Sequence, residues 1–216
     1  MINIFCILEL MTIINSKKII AFYGHSINTP HHWYSQFYSS KFTFNIDSVH
    51  ETLILELNTK LNRHQCDIDL ISIENQEFFC AEQFMMMGKV LLFNPVNRLD
   101  YLKNCTTASK CKVYGRSKTK ISGYDDTVWE NLNLIWVTIG NYLKFTQSVE
   151  LKKHIIASGE AVLVEGSKND KIWGVGLEPT NPLIHNPGKW KGQNKLGQSL
   201  MTTRDLINNI DSIYDL

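Results

Sequence analysis

The chain has 216 residues, enough for one domain with a substantial core. At 44% apolar and 20% charged residues it has the composition of a soluble globular protein. A net charge of +1 excludes bulk electrostatic attraction to nucleic acid or an acidic membrane, though not a local basic patch.

Five cysteines, Cys6, Cys66, Cys80, Cys105 and Cys111, are odd in number and never at CxxC spacing. They read as thiols in a reducing, cytoplasmic compartment. The seven histidines show no zinc spacing. No apolar run approaches the ~20 residues of a membrane span. The segment "MINIFCILELM" has no basic start and is broken by Glu9, so it is not a signal peptide. Residues 1–18 read as an extension whose order is open, with Met11 as an alternative start.

From there the text is domain-like. "KKIIAFYG" predicts a strand ended by Gly24, and "KFTFN" alternates like a second. "DSVHETLILELNTKLNRHQ" predicts a helix capped by Asp47 or Ser48, with Val49, Leu53, Leu57 and Leu61 on one face. "CDIDLISIE" alternates and predicts a strand. Gln76 to Phe93 is dense in apolar residues and predicts a buried helix. Asn94 and Pro95 open the next helix. Cys105 to Tyr124 mixes a short helix with basic loop. Two helices follow, one capped by Asp125 or Asp126 and one stopping at Gly159. "EAVLVEGS" predicts a short strand, a Pro/Gly/Asn loop follows, and "KLGQSLMTTRDLINNI" is the last helix. The reading is a mainly α-helical α+β fold with a few short strands.

Three stretches can carry chemistry. In "AEQFMMMGK", Glu82 and Lys89 are seven residues apart. On a helix they share a face, ~10.5 Å apart along the axis, with Met85 and Met86 between them. A carboxylate and an amine on an apolar helix are expensive unless used or paired. The alternative is a core helix with solvated ends and a snorkelling lysine. In "LVEGSKNDKIWGVG", a strand runs into a turn with Asn169 and Asp170, then Trp173 with Gly174 and Gly176 beside it. The glycines allow a ligand or a backbone to come close, and the indole offers a stacking face. In "GQNKLGQSLMTTRDLI", a loop with Asn194 and Lys195 enters a helix whose terminus can hold an anion, with Arg204 two turns on. An ordinary cap and a core-lining arginine fit the same text.

Taken together, these segments resemble the NADAR (YbiA-like) N-glycosidases. The resemblance rests on Phe22 and Tyr23, then Ser35, Gln36 and Phe37; on Glu82 and Lys89; and on Trp129. It continues through Leu163, Val164, Glu165, Asp170, Trp173 and Gly174. It closes with Gly192, Asn194, Leu196, Gly197, Leu200, Met201 and Arg204. These lie in family order from about residue 19 to 207. Gln36 replaces the usual Asn. Residues 45–74 are longer than the usual connection and read as an insertion, and the loop before the last helix is also long. The domain is set at residues 19–212.

The resemblance implies a single YbiA-like domain that hydrolyses the C1–N bond of ribosylaminopyrimidine 5′-phosphates, the first two intermediates of riboflavin biosynthesis. It implies no cofactor and no metal, a small ribosyl-phosphate substrate and no membrane partner. Glu82 would stabilise positive charge on the sugar or move a proton to the leaving nitrogen. Lys89 would attack an opened imine, and Asp170 would activate water. Tyr23, Ser35, Trp129, Asn169, Trp173, Gly174, Asn194, Lys195 and Arg204 would bind substrate, the last two its phosphate. The alternatives are an ADP-ribosyl hydrolase acting on modified guanine in nucleic acid, favoured by the basic run Lys110 to Lys120, and a non-catalytic binding module for ADP-ribose-like ligands.

Overall fold

The computed structural model describes residues 18–214, with side chains to residue 209. The expected N-terminal extension lies, except for Lys18, outside the described residues. Two pairs of short strands frame a helical body. β1 (Ile19–Phe22) runs parallel to β4 (Val162–Glu165), with Ile19 opposite Val162 and Phe22 opposite Glu165. β2 (Phe42–Thr43) is antiparallel to β3 (Glu77–Phe78). The helices are α1 (Glu51–His64), α2 (Ala81–Phe93), α3 (Arg98–Asn104), α4 (Ala108–Tyr114), α5 (Asp126–Thr146), α6 (Val149–Ile156) and α7 (Lys195–Tyr214).

α5 is the axis of the fold, and α1, α2, α6 and α7 all pack on it. Its start is fixed by Asp125, whose Oδ1 accepts from the Val128 amide at 3.0 Å. Leu132, Ile135, Trp136, Ile139 and Leu143 recur at helical spacing and are all buried. α2 is buried from Ala81 to Gly88, so it crosses the interior rather than lying on it. That crossing needs Gly88. A Cβ there would fall inside the Trp136 indole, which stacks on Phe84 at 4.5 Å and donates to the Phe84 carbonyl at 2.9 Å. Gly88→Val is expected to destabilise by about 1–3 kcal/mol, read as a lower urea midpoint.

Three expectations are corrected. The cap of α1 is neither Asp47 nor Ser48, which belong to a separate 3-10 turn at Ile46–Ser48. His50 Nδ1 accepts from the Thr52 amide instead. The expected strand at Cys66–Glu74 is a loop with a 3-10 turn. Asp67 and Asp69 accept from the Ile68 and Ser72 amides, which takes those donors away from any ladder. Ile68 and Ile73 turn inward while Ile71 is 86% exposed, so the alternation has no common face. The helix expected from Gln76 begins only at Ala81. Glu77 and Phe78 pair with β2, and Cys80 is fully extended. The proposed insertion contributes Leu53, Leu57 and Leu61 to the core through α1.

Candidate active site

The centre forms where the first turn of α2 meets the loop after β1, the segment after β4, and α4. The Gln36 carbonyl accepts from the Glu82 amide at 2.9 Å, which pins the Ser35-Gln36-Phe37 loop to the start of α2. That loop is anchored from behind. Lys144 of α5 is wholly buried and donates to the Trp33 and Ser35 carbonyls at 2.7 and 2.9 Å. One turn earlier, Asn141 Oδ1 accepts from Gln36 Nε2, and Asn141 Nδ2 donates to Ser199 Oγ, both at 2.8 Å.

Glu82 is only 5% exposed, and its carboxylate accepts no hydrogen bond from the described residues. Burial pushes its pKa up to about 7, and Asp170 adds to the rise. Lys112, Arg116 and Lys89 pull the other way without cancelling it. Lys89 lies further along the same helix. Its amine donates to the Gly115 carbonyl at 3.3 Å and sits 4.6 Å from the Tyr124 ring centre and 5.2 Å from that of Trp129. Burial lowers its pKa, and Arg116 lowers it further, against the opposing pull of Glu82 and Asp126. The two groups feel each other but form no ion pair within 4 Å.

Glu165 ends β4 and shares with Glu82 the fields of Asp170 and Lys112. Its Oε2 is buried without a partner among the described residues, and burial raises its pKa to about 8, with Asp170 adding and Lys112 opposing. Asp170 Oδ1 accepts from the Ile172 and Trp173 amides at 3.0 and 2.8 Å, which fixes the turn and leaves Oδ2 without a partner among the described residues. Tyr23 and Asn169 line an adjoining cavity of about 320 Å³ with Gly166, Lys168, Glu178, Pro179 and Thr180. The arrangement sets three carboxylates against an amine of lowered basicity in a largely dry setting, which suits proton transfer and nucleophilic attack at an electrophilic carbon.

The NADAR domain model matches residues 21–208. The chain belongs to the NADAR family. An N-glycosidase of Acanthamoeba polyphaga mimivirus is 36% identical over 132 residues, 61% of this chain and 76% of that protein. Protein irg-1 of Caenorhabditis elegans is 28% identical over 129 residues, 60% of each chain. The NMR structure of the E. coli protein YbiA superposes with a TM-score of 0.62 at 21% identity, covering 91% of this chain and 88% of that one. The fold is therefore a single YbiA-like domain.

Of the residues expected from the sequence of this NADAR chain, Glu82, Lys89, Asp170 and Trp129 come together. Trp129 is buried with its ring turned to Lys89. Trp173 is half-buried against the core. Others have internal partners. Ser35 Oγ accepts from the Phe37 amide at 3.2 Å. Gly174 packs on the Asp170 and Glu165 carbonyls, so its missing side chain admits backbone. Asn194, 2% exposed at φ 55°, accepts from the Glu165 amide and donates to the Leu163 carbonyl, joining β4 to α7.

The expected anion site at the start of α7 is closed. The Lys195 and Leu196 amides each donate at 3.1 Å, to the Ile172 and Trp173 carbonyls. The Lys195 amine donates to Asn133 Oδ1 at 3.0 Å. Arg204 Nη1 donates to Ser158 Oγ at 3.0 Å and the Ala161 carbonyl at 2.8 Å, a buried strut between α7 and the α6–β4 turn. Arg204→Leu is expected to lower stability by about 1–3 kcal/mol in chemical denaturation and to leave KM for a phosphorylated substrate unchanged. Glu165 is not among the site residues expected from the sequence, and Lys112 and Arg116 enter there only within the basic run Lys110 to Lys120. Glu165 was visible within "LVE", one residue from the glycine that ends the strand.

Proposed function

We propose that this NADAR protein hydrolyses the C1–N bond of ribosylaminopyrimidine 5′-phosphates in a reducing compartment, giving ribose 5-phosphate and a free pyrimidine. The reaction class, hydrolysis of an N-glycosyl bond, rests on family membership and on the mimivirus N-glycosidase. The observation that carries the chemistry is Glu82, 5% exposed and accepting no side-chain hydrogen bond among the described residues, in the field of a lysine on the same helix whose charged form is disfavoured.

The glycosylamine opens as the C1–O ring bond breaks and its N–H proton passes to the ring oxygen, leaving an imine at C1 of the sugar. The neutral Lys89 amine adds to that carbon, and one of its protons passes to the pyrimidine nitrogen. The pyrimidine amine leaves with a proton from Glu165, and the electron pair of the broken C1–N bond goes with it. Ionised Glu82 stabilises the positive charge on the resulting lysine imine. Water, deprotonated by Asp170, adds to C1; Asp170 returns the proton to the Lys89 nitrogen, which leaves with the electron pair of its bond to C1 as the new hydroxyl gives its proton back to Glu165.

This assignment fixes the pH profile. Glu82 acts ionised, so turnover falls as pH drops below about 7. Glu165 acts protonated, so turnover also falls as pH rises above about 8. A bell-shaped kcat curve is expected, with Glu165→Gln removing the alkaline limb and Glu82→Gln removing its share of the acid limb, the part set by protonation of Lys89 remaining. The direct test incubates purified protein with ribosylaminopyrimidine 5′-phosphate and, in parallel, with an ADP-ribosylated guanine oligonucleotide. Ribose 5-phosphate release from the first supports the proposal. ADP-ribose release from the second alone overturns it.

A further inference from the structure

The closed terminus of α7 leaves the phosphate of the proposed substrate without the holder that the sequence suggested. We infer that Lys112 and Arg116, one turn apart on and just after α4, form the anion subsite of this centre and take the phosphate monoester of the ribose. The inference rests on the proposed reaction and specifies how its substrate is held.

Lys112 lies in the last turn of α4, and Arg116 lies two residues past its end in an exposed turn where its amide donates to the Val113 carbonyl at 3.2 Å, so the two side chains leave the backbone about one turn apart, a gap that a phosphate group can bridge. Both cations act on the centre. Lys112 lies in the field of Glu82 and of Glu165, and Arg116 in the field of Glu82 and of Lys89. Yet among the described residues neither side chain makes an ion pair within 4 Å or donates a hydrogen bond. The Lys112 amine rests 5.5 Å from the centre of the Phe37 ring, beside the loop that pins Glu82.

Their neighbour on the same segment behaves differently. The Lys120 amine donates to Asp100 Oδ2 at 2.8 Å, and the Tyr114 hydroxyl donates to the same oxygen at 2.8 Å. The segment therefore pairs one lysine with an acid and leaves two cations beside the reacting groups. The placement of α4 is firm. Cys111 is buried, and Gly115 packs against the Met86 sulfur, where a Cβ would collide. The Gly115 carbonyl also holds Lys89, so the register that seats the nucleophile seats Lys112 and Arg116 beside it.

Lys195 and Arg204, the other cations expected to hold phosphate, already have internal acceptors. A phosphate dianion bridging Lys112 and Arg116 neutralises both and places the sugar between them and Glu82. It also relieves the repulsion between Arg116 and Lys89.

The test measures kcat/KM for ribosylaminopyrimidine 5′-phosphate and for its dephosphorylated counterpart, in wild type, Lys112→Met, Arg116→Met and the double variant. Each single change is expected to cost about 10- to 100-fold on the phosphorylated substrate, mostly in KM, and little on the other. In the double variant the preference for phosphate should collapse toward unity. Equal losses on both substrates, or a retained preference, overturn the subsite. Calorimetry with ribose 5-phosphate against ribose separates this result from failure of the proposed reaction. If wild type turns over neither substrate, phosphate-dependent binding that disappears in the double variant still supports the subsite, and its absence in wild type overturns it. Thermal melts of each variant show that the fold is retained.

Discussion

Glu82→Gln is expected to lower kcat by about 10²- to 10⁴-fold while leaving the fold intact. The amide matches the carboxylate in shape, so nothing around α2 must repack. It carries no charge, so a developing cation at C1 loses its nearest buried counter-charge. The same change has an opposite signature in stability. The unfolded chain ionises this glutamate near 4.5, the native chain near 7. Ionisation therefore penalises the native state. The penalty is absent below about pH 4.5, grows between 4.5 and 7, and is complete above 7. It amounts to something on the order of 3 kcal/mol. The glutamine variant should thus be more stable than wild type at pH 8, with the difference vanishing as pH falls toward 4.5. Thermal melts at a series of pH values check this. A variant that is inactive and also less stable at pH 8 would point to a structural role for Glu82.

Lys89→Met is the second large effect. The methionine keeps most of the stem that packs between Tyr124 and Trp129, and removes only the amine. A loss of at least about 10³-fold in kcat is expected if the amine forms the covalent bond. Borohydride added during turnover should trap a sugar adduct on wild type, located at Lys89 by peptide mapping, and none on the variant. Full turnover without an adduct in wild type would make Lys89 a counter-ion to Glu82 and leave hydrolysis to water alone.

Much of this was legible along the chain because its signals are local. The stripe Val49, Leu53, Leu57 and Leu61 reads as a buried face and is one. Asp125 and Ser148 cap α5 and α6 through their own side chains, within three residues of the amides they satisfy. "AEQFMMMGK" fixes the spacing of Glu82 and Lys89 on any helix. Where the local signal was ambiguous, distant residues settled it. The alternation at Cys66–Glu74 looks like a strand, but it had no partner edge, and its aspartates captured the backbone instead. Glu77 and Phe78 look helical in context, but Phe42 and Thr43 drew them into a ladder.

The site divides in the same way. The residue types and their order are written in the sequence, including the pair on α2 and the turn built on Asp170. Their ionisation is not, because a pKa depends on how much water the rest of the fold removes. Glu82 and Glu165 lie 83 positions apart in the numbering and were brought to one field by the pairing of β1 with β4 and the crossing of α2. The polar residues of the last helix carry no mark of their use. Asn194 and Arg204 fit a phosphate site and a structural strut equally well in sequence, and only the packing of β4 against α7 assigns them to the second. Lys112 and Arg116 read as part of a basic run until α4 settles Gly115 on Met86 and brings their charges into the field of Glu82. The sequence by itself determined which helices form and which reactive groups share a helix face, since those follow from periods and caps a few residues long. Tertiary structure alone decided which charged groups remain without partners, since that is set by contacts across the whole chain.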